Sequence, residues 1–225
     1  FTTIYSGIDL DRFDERADRA EMCKSLGLAL DKPIIGFIGR LSVQKAPLDF
    51  VTAAKSVLKK RPDIQVIMIG DGPLLSDVRQ AIADEPGIRL FGYRNDIPQM
   101  LSILDAFVLS SLWEGLGRAL TEAMIMGVPV VATAVDGVPE LVSHRQTGLL
   151  SPPGNPHLLA ENILWLLNFP EEARQMVRAA KERVIPAFGA ERMVEQIENL
   201  YERVLIQKGF PIEDRSPEIA YPVLS

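Results

Sequence analysis

Glu114 and Glu122 stand eight positions apart around the turn Gly115-Leu116-Gly117, in "SSLWEGLGRALTEAMIMGVPVVAT", residues 110–133, a segment otherwise apolar on nearly every side. The two glycines permit a sharp bend after the run "AFVLS" (106–110). The helix predicted over 117–127 then starts with free backbone amides and the positive end of its dipole beside Glu114. A helix start of this kind binds phosphate without any side chain. Glu122, on the second turn, could accept paired hydrogen bonds from a vicinal diol, and the natural vicinal diol next to a helix-bound phosphate is a ribose. Glu114, at the turn itself, would face whatever lies beyond the phosphates. The competing reading is a helix-start charge and an exposed helical glutamate, against which the apolar surroundings argue.

Other loops add groups that suit the same ligand. "GRLSVQK" (39–45) places Arg40 and Lys45 five positions apart after an apolar run. A guanidinium fork and an ammonium point charge can hold a pair of phosphates, although two solvated loop charges would look the same. "GDGP", Gly70 to Pro73, is a tight turn that lets a ligand approach the backbone at Gly72, or is simply a turn. "GYRNDIP", Gly92 to Pro98, could present the backbone of Tyr93 and Arg94 to a flat base, with Asp96 capping the next helix.

These loops need a scaffold that brings them to one edge. Short apolar runs at 33–39, 64–70, 88–91, 106–110 and 128–133 are rich in Val and Ile and end in Gly, Ser, Thr or Phe, as strands buried on both faces do. Amphipathic stretches at 48–61, 74–85, 97–105 and 117–127 alternate with them. The alternation predicts an α/β fold with a Rossmann-like, doubly wound parallel sheet, whose ligands bind at the carboxyl ends of the strands. A sixth strand is expected at 147–150, then helices over 156–168, 170–185 and 190–208. Residues 1–32 read as a junction, with a short strand and turn in "TTIYSGIDLDRF" and a helix in "ERADRAEMCKSLGL"; 33–208 form the ligand-binding domain, and 209–225 a tail.

Composition narrows the function. The 225 residues carry a formal net charge of −6 with acids and bases interspersed, so no basic field invites nucleic acid. The longest apolar stretch, Ala123 to Val135, is broken by Gly127 and Pro129 and falls short of the roughly 20 residues of a membrane helix. One cysteine, Cys23, cannot form an internal disulfide, which fits a reducing, cytoplasmic setting. The chain opens at Phe1 with no signal-peptide pattern and reads as a piece of something longer. His144 and His157 read as surface residues, and no cluster has metal-ligand spacing. The glycines near Glu114 only approximate a dinucleotide fingerprint and follow the fourth strand rather than the first, which disfavours a nicotinamide cofactor.

The ordered set "GRLSVQK", "GDGP", "GYRNDIP", "SLWEGLGRALTEAMIMGVPVVAT", "GVPEL" and "TGLLSPPGNPHLLAENI" resembles the donor-binding C-terminal domain of the retaining, group 1 glycosyltransferases, over about Ile4 to Leu205. The resemblance implies the C-terminal half of a GT-B fold and transfer of a hexosyl unit from a nucleotide sugar to an acceptor hydroxyl. It further implies that Arg40 and Lys45 neutralise the donor diphosphate, so that no metal or other cofactor is needed. Arg40, Lys45 and Glu114 become the catalytic set. Glu114 would contact the transferred sugar, near the amides of Leu116 and Gly117 and beside Gly115. Glu122 would hold the ribose, with Leu120 and Thr121 along ribose and phosphate, and Gly39, Gly72, Tyr93 and Arg94 would complete the donor site. The sequence departs from the family at Ala46, where a glycine is usual, at Pro47 after it, at Trp113, and at Arg118, which either adds a ligand contact or faces solvent.

In that family an N-terminal half supplies the acceptor site, a Gly-rich loop and a histidine near the reacting sugar, and the last long helix crosses back towards it. None of these is present here. The chain alone is therefore expected to bind nucleotide without turnover, and any peripheral membrane association would come through the missing half. Two other readings stay open: a GT-B nucleotide-sugar epimerase domain, and a catalytically silent nucleotide-binding module.

Overall fold

The computed structural model describes residues 2–13 and 17–210. Its apolar runs form β1 (Ile34–Ile38), β2 (Gln65–Ile69), β3 (Ile88–Leu90), β4 (Ala106–Leu109), β5 (Val130–Thr133) and β6 (Leu149–Ser151). They make one sheet in the order β3-β2-β1-β4-β5-β6, parallel throughout. β1, β4 and β5 are buried along their whole length, which is why their sequences are continuously apolar rather than alternating.

Successive residues still serve opposite layers. Ile34, Ile38, Phe107, Leu109, Val130 and Ala132 pack into a core with α4 (Ile97–Ser102), α5 (Arg118–Met126) and α8 (Pro170–Phe188). Ile35, Phe37, Ala106, Val108 and Val131 face the other way, towards α2 (Pro47–Lys60), α3 (Leu75–Ala81) and α7 (Pro156–Asn168). Phe37 and Phe50 are both fully buried with ring centroids 5.4 Å apart, and truncating either would cost about 3–5 kcal/mol.

The strand order reverses direction between β1 and β4, and in an open parallel sheet that switch point, at the carboxyl ends of the strands, is where ligands bind. It is flanked by the β1–α2 loop and the β4–α5 turn.

Several boundaries differ from the sequence expectation. α3 stops at Ala81 instead of continuing to 85 because the chain turns at Ile82. α1 (Arg19–Leu26) is shorter than the 15–28 stretch, being started by Asp18, whose carboxylate accepts from Ala20 and Glu21, and ended by Gly27 at φ 66. A four-residue helix, α6 (Val138–Leu141), was not foreseen. No strand forms in "TTIYSGIDLDRF". Ile8 makes a single bridge to Gly189, where the corner between α8 and α9 (Ala190–Gln207) offers one residue rather than a sheet edge, and Asp11–Phe13 form a 3-10 turn. Tyr5 anchors this segment, its hydroxyl donating to Glu140 at 2.8 Å and its ring lying on Phe188. α9 buries none of its residues and exposes Val194, Tyr201, Val204, Leu205 and Ile206. The tail expected from 209 lies outside the described residues beyond Phe210.

Candidate donor-binding site

The exits of the strands are held together by backbone fit between loops. Gly39 donates to the Ile69 carbonyl at 3.0 Å and Leu41 to that of Asp71 at 2.9 Å, so the β1 and β2 exits run against each other. Gly70, at φ 138, must be glycine: a Cβ there would lie 1.9 Å from the Gly39 carbonyl oxygen. Gly72 is under the same constraint against Leu41. This closeness forms one wall of a pocket of about 460 Å³ lined by Ile38, Gly39, Arg40, Gly70, Asp71, Tyr93 and Arg94, among others. Arg40 is exposed at this pocket, and Tyr93 is 75% exposed at its rim.

Asp96 does not cap α4 with its side chain. Arg94 has taken it, donating from Nε to Oδ1 at 2.8 Å. The guanidinium outcompetes backbone amides as a charged, two-pronged partner. Its hydrogen bond holds the Asp96 carboxyl below the usual carboxylate range in spite of partial burial.

Across the switch point, Lys45 and Glu114 form an ion pair, with the Glu114 side chain 5% exposed and that of Lys45 17% exposed. Ser111 donates its hydroxyl to the same Glu114 oxygen at 2.7 Å. Ser110 donates to the carbonyls of Lys45 and Ala46, and the Leu112 amide to the Gln44 carbonyl, so the two loops are joined along their length. Ala46 takes a left-handed conformation at φ 43, ψ 56, which explains why glycine would be at home there. The Glu114 amide donates to Asp136 Oδ2 at 2.8 Å, and the Thr133 hydroxyl donates to the Ser111 carbonyl at 2.6 Å.

α5 starts directly after Gly117, with no side chain capping it. Its first turn borders a smaller pocket of about 160 Å³ lined by Ser6, Gly7, Ile8, Leu116, Gly117, Arg118 and Thr121. Such an opening suits an anion. Glu122 is 14% exposed and accepts from Arg118 Nε at 3.0 Å, while Arg118 itself is 64% exposed. The side chain of Leu120 is buried in the core and the Thr121 hydroxyl turns back to the Gly117 carbonyl, so these two positions offer a ligand chiefly backbone.

The residues singled out by sequence follow the carboxyl ends of the strands and fall into two groups, the first around the 460 Å³ pocket and the second around the β4–α5 turn and the start of α5. Gly39, Arg40, Gly72, Tyr93 and Arg94 belong to the β1–β2–β3 side; Lys45, Glu114, Gly115, Leu116, Gly117 and Glu122 belong to the β1–β4 side. Ser110, Ser111, Thr133 and Asp136 were missed. The adjacent hydroxyls in "SS" at the end of a buried strand were a readable signal, since buried hydroxyls need partners. His144 and His157 are exposed, as their sequence surroundings implied. Among the described residues no group of three or more His, Cys, Asp or Glu could hold a metal ion, and no helix is long and apolar enough to cross a membrane.

Comparison with known proteins gives the chain a family context. Residues 18–183 match the family described as Glycosyl transferases group 1. The chain is 29% identical over 214 residues to UDP-Gal:alpha-D-GlcNAc-diphosphoundecaprenol alpha-1,3-galactosyltransferase of Escherichia coli, matching 92% of this chain and 55% of that protein. It is 30% identical over 206 residues to N-acetyl-alpha-D-glucosaminyl L-malate synthase of Bacillus anthracis, matching 90% and 54%. The chain therefore spans about half the length of these relatives. The crystal structure of Anabaena Alr3699/HepE in complex with UDP-glucose superposes with a TM-score of 0.82 at 25% identity, over 89% of this chain and 57% of that one.

Proposed function

The chain belongs to the group 1 glycosyl transferases, and from that premise we propose that it is the donor-binding half of a retaining enzyme, one that transfers a hexosyl unit from a nucleotide sugar to an acceptor hydroxyl. The observation that carries this reading is that the β1–α2 loop with Lys45, the buried carboxylate of Glu114 paired to it, and the uncapped start of α5 lie together at the carboxyl ends of the central strands. The base would enter the 460 Å³ pocket beside Tyr93 and Arg94. The diphosphate would lie between Arg40, Lys45 and the first turn of α5, and Glu122 would meet the ribose.

Lys45 then has a dual role. Without ligand it neutralises Glu114. With donor bound, its ammonium turns to the diphosphate and leaves the carboxylate to accept hydroxyls of the transferred sugar. As the acceptor hydroxyl oxygen bonds to the anomeric carbon and the bond from that carbon to the diphosphate oxygen breaks, the electron pair goes to the diphosphate, which takes up the hydroxyl proton and whose growing charge Arg40 and Lys45 stabilise without a metal. The acceptor site belongs to an N-terminal half, without which this chain binds donor but does not turn over. A cytoplasmic setting and freedom from cofactors complete the proposal.

The test is a calorimetric titration with UDP, GDP and ADP at equal ionic strength, with and without magnesium, on the parent chain and on Glu122→Gln. Selective binding of one nucleotide, UDP first in line because the Anabaena structure holds UDP-glucose, should be insensitive to magnesium. Glu122→Gln should weaken it by about 1–3 kcal/mol through loss of charge-assisted hydrogen bonds. An unchanged affinity in the variant would remove Glu122 from the ribose site, and magnesium-dependent binding would remove the metal-free mechanism.

A further inference from the structure

Resting on the proposed role of Glu114 at the transferred sugar, we infer that Asp136 is a positioning residue for that glutamate and thereby sets selectivity for the sugar over the bare nucleotide. Asp136 lies in the turn between β5 and α6, 22 positions from Glu114 in the chain. It is exposed and holds a left-handed backbone at φ 40, a conformation unfavourable for a residue with a Cβ. Its neighbour Gly137 could take that conformation freely yet sits at φ −76. Gly137 is needed for another reason: a Cβ there would lie 2.2 Å from the Gly115 carbonyl oxygen.

The two turns are therefore pressed backbone to backbone, and the aspartate carries the conformational strain. What the carboxylate gives in return is the hydrogen bond from the Glu114 amide to Oδ2 at 2.8 Å. Strain retained at one turn and resolved as a bond to a functional residue is the pattern expected where geometry matters more than local stability. Thr133, three residues earlier, braces the same turn through Ser111, whose hydroxyl holds the Glu114 carboxylate. Asp136 fixes the backbone of Glu114 while Ser111 and Lys45 fix its side chain.

The experiment compares UDP and UDP-glucose affinities of the parent chain, Asp136→Gly, Asp136→Asn and Glu114→Gln, with amide hydrogen exchange at Glu114 measured alongside. Asp136→Gly relieves the backbone strain and removes the acceptor, so it should fold normally. It should weaken UDP-glucose about five- to tenfold with UDP changed less than twofold, and deprotect the Glu114 amide. Asp136→Asn keeps an acceptor and should restore most of the selectivity. Equal losses for both ligands in Asp136→Gly, or full selectivity with a deprotected amide, would overturn the inference. If Glu114→Gln leaves selectivity intact, the sugar-contact reading itself fails. If the parent chain binds neither ligand, the amide decides: protection unchanged in Asp136→Gly rules Asp136 out.

Discussion

Lys45 and Glu114, 69 residues apart in the chain, meet as a largely buried ion pair that joins the β1–α2 loop to the β4–α5 turn. Removing one partner of such a pair leaves a desolvated charge, whereas removing both does not. Lys45→Met and Glu114→Gln should each destabilise the chain by about 1–3 kcal/mol, and the double variant should lose less than their sum. Urea unfolding of the four proteins measures the coupling; strict additivity would mean that the pair contributes nothing to the fold.

Ala46 carries a left-handed backbone immediately before Pro47 opens α2. Replacing an alanine with glycine ordinarily costs about 1 kcal/mol in a helix. At this turn Ala46→Gly should instead leave stability unchanged or raise it by up to about 1 kcal/mol, because the Cβ penalty disappears. Ala54→Gly, in the buried interior of α2, serves as the comparison and should lose stability. Similar losses at the two sites would contradict the strain assigned to Ala46.

Gly70→Ala puts a methyl group into the backbone contact with Gly39. Neither side can retreat easily, since Gly39 donates to Ile69 and Gly70 donates to the Gly92 carbonyl at 2.7 Å. A loss of about 2–4 kcal/mol is expected. Gly154→Ala, also left-handed at φ 66 but with open space around it, should lose only about 1 kcal/mol. Chemical unfolding of both variants separates steric contact from torsional strain, and equal losses would show that the contact is soft.

The Arg94–Asp96 pair gives a signed pH dependence. The folded-state carboxyl of Asp96 is depressed below its ordinary value of 3.8 by the hydrogen bond from Arg94. Its stabilisation is therefore complete above that ordinary value and disappears as pH falls through the folded one. The Tm difference between the parent chain and Asp96→Asn should be constant from pH 7 to about pH 5 and shrink on further acidification. A difference that stays constant down to pH 3 would exclude the pair as its source.

The centre of the sheet was legible because β1, β4 and β5 are buried on both faces, and such runs as "IIGFI" leave little else for the chain to do. Short helices were harder: α6 has four residues and no sequence period to detect. Within the candidate site, Lys45 and Glu114 drew attention as charges that follow strands, and Glu122 as an acid on the second turn of an otherwise apolar helix. Their partners in the unliganded chain were not legible, because pairing across 69 residues depends on which strands become neighbours. Asp136 escaped notice since its role lies in a backbone conformation and one amide, neither of which has a composition signature. Asp96 was assigned the cap position correctly but the wrong partner, Arg94 two residues away being the stronger competitor.

The β1–β4 adjacency also orders events in time. As the chain is synthesised, the loop bearing Lys45 is finished long before the turn bearing Glu114, and β1 can pair with β2 while β4 is still unmade. The Lys45–Glu114 pair cannot form until β4 closes the longer loop onto β1, a step that carries the larger entropy cost. A nucleotide bound as proposed would therefore be no template for the early stages of folding. Bound as proposed, it would instead seal the finished domain, lowering the population of opened states only after the central strands have met.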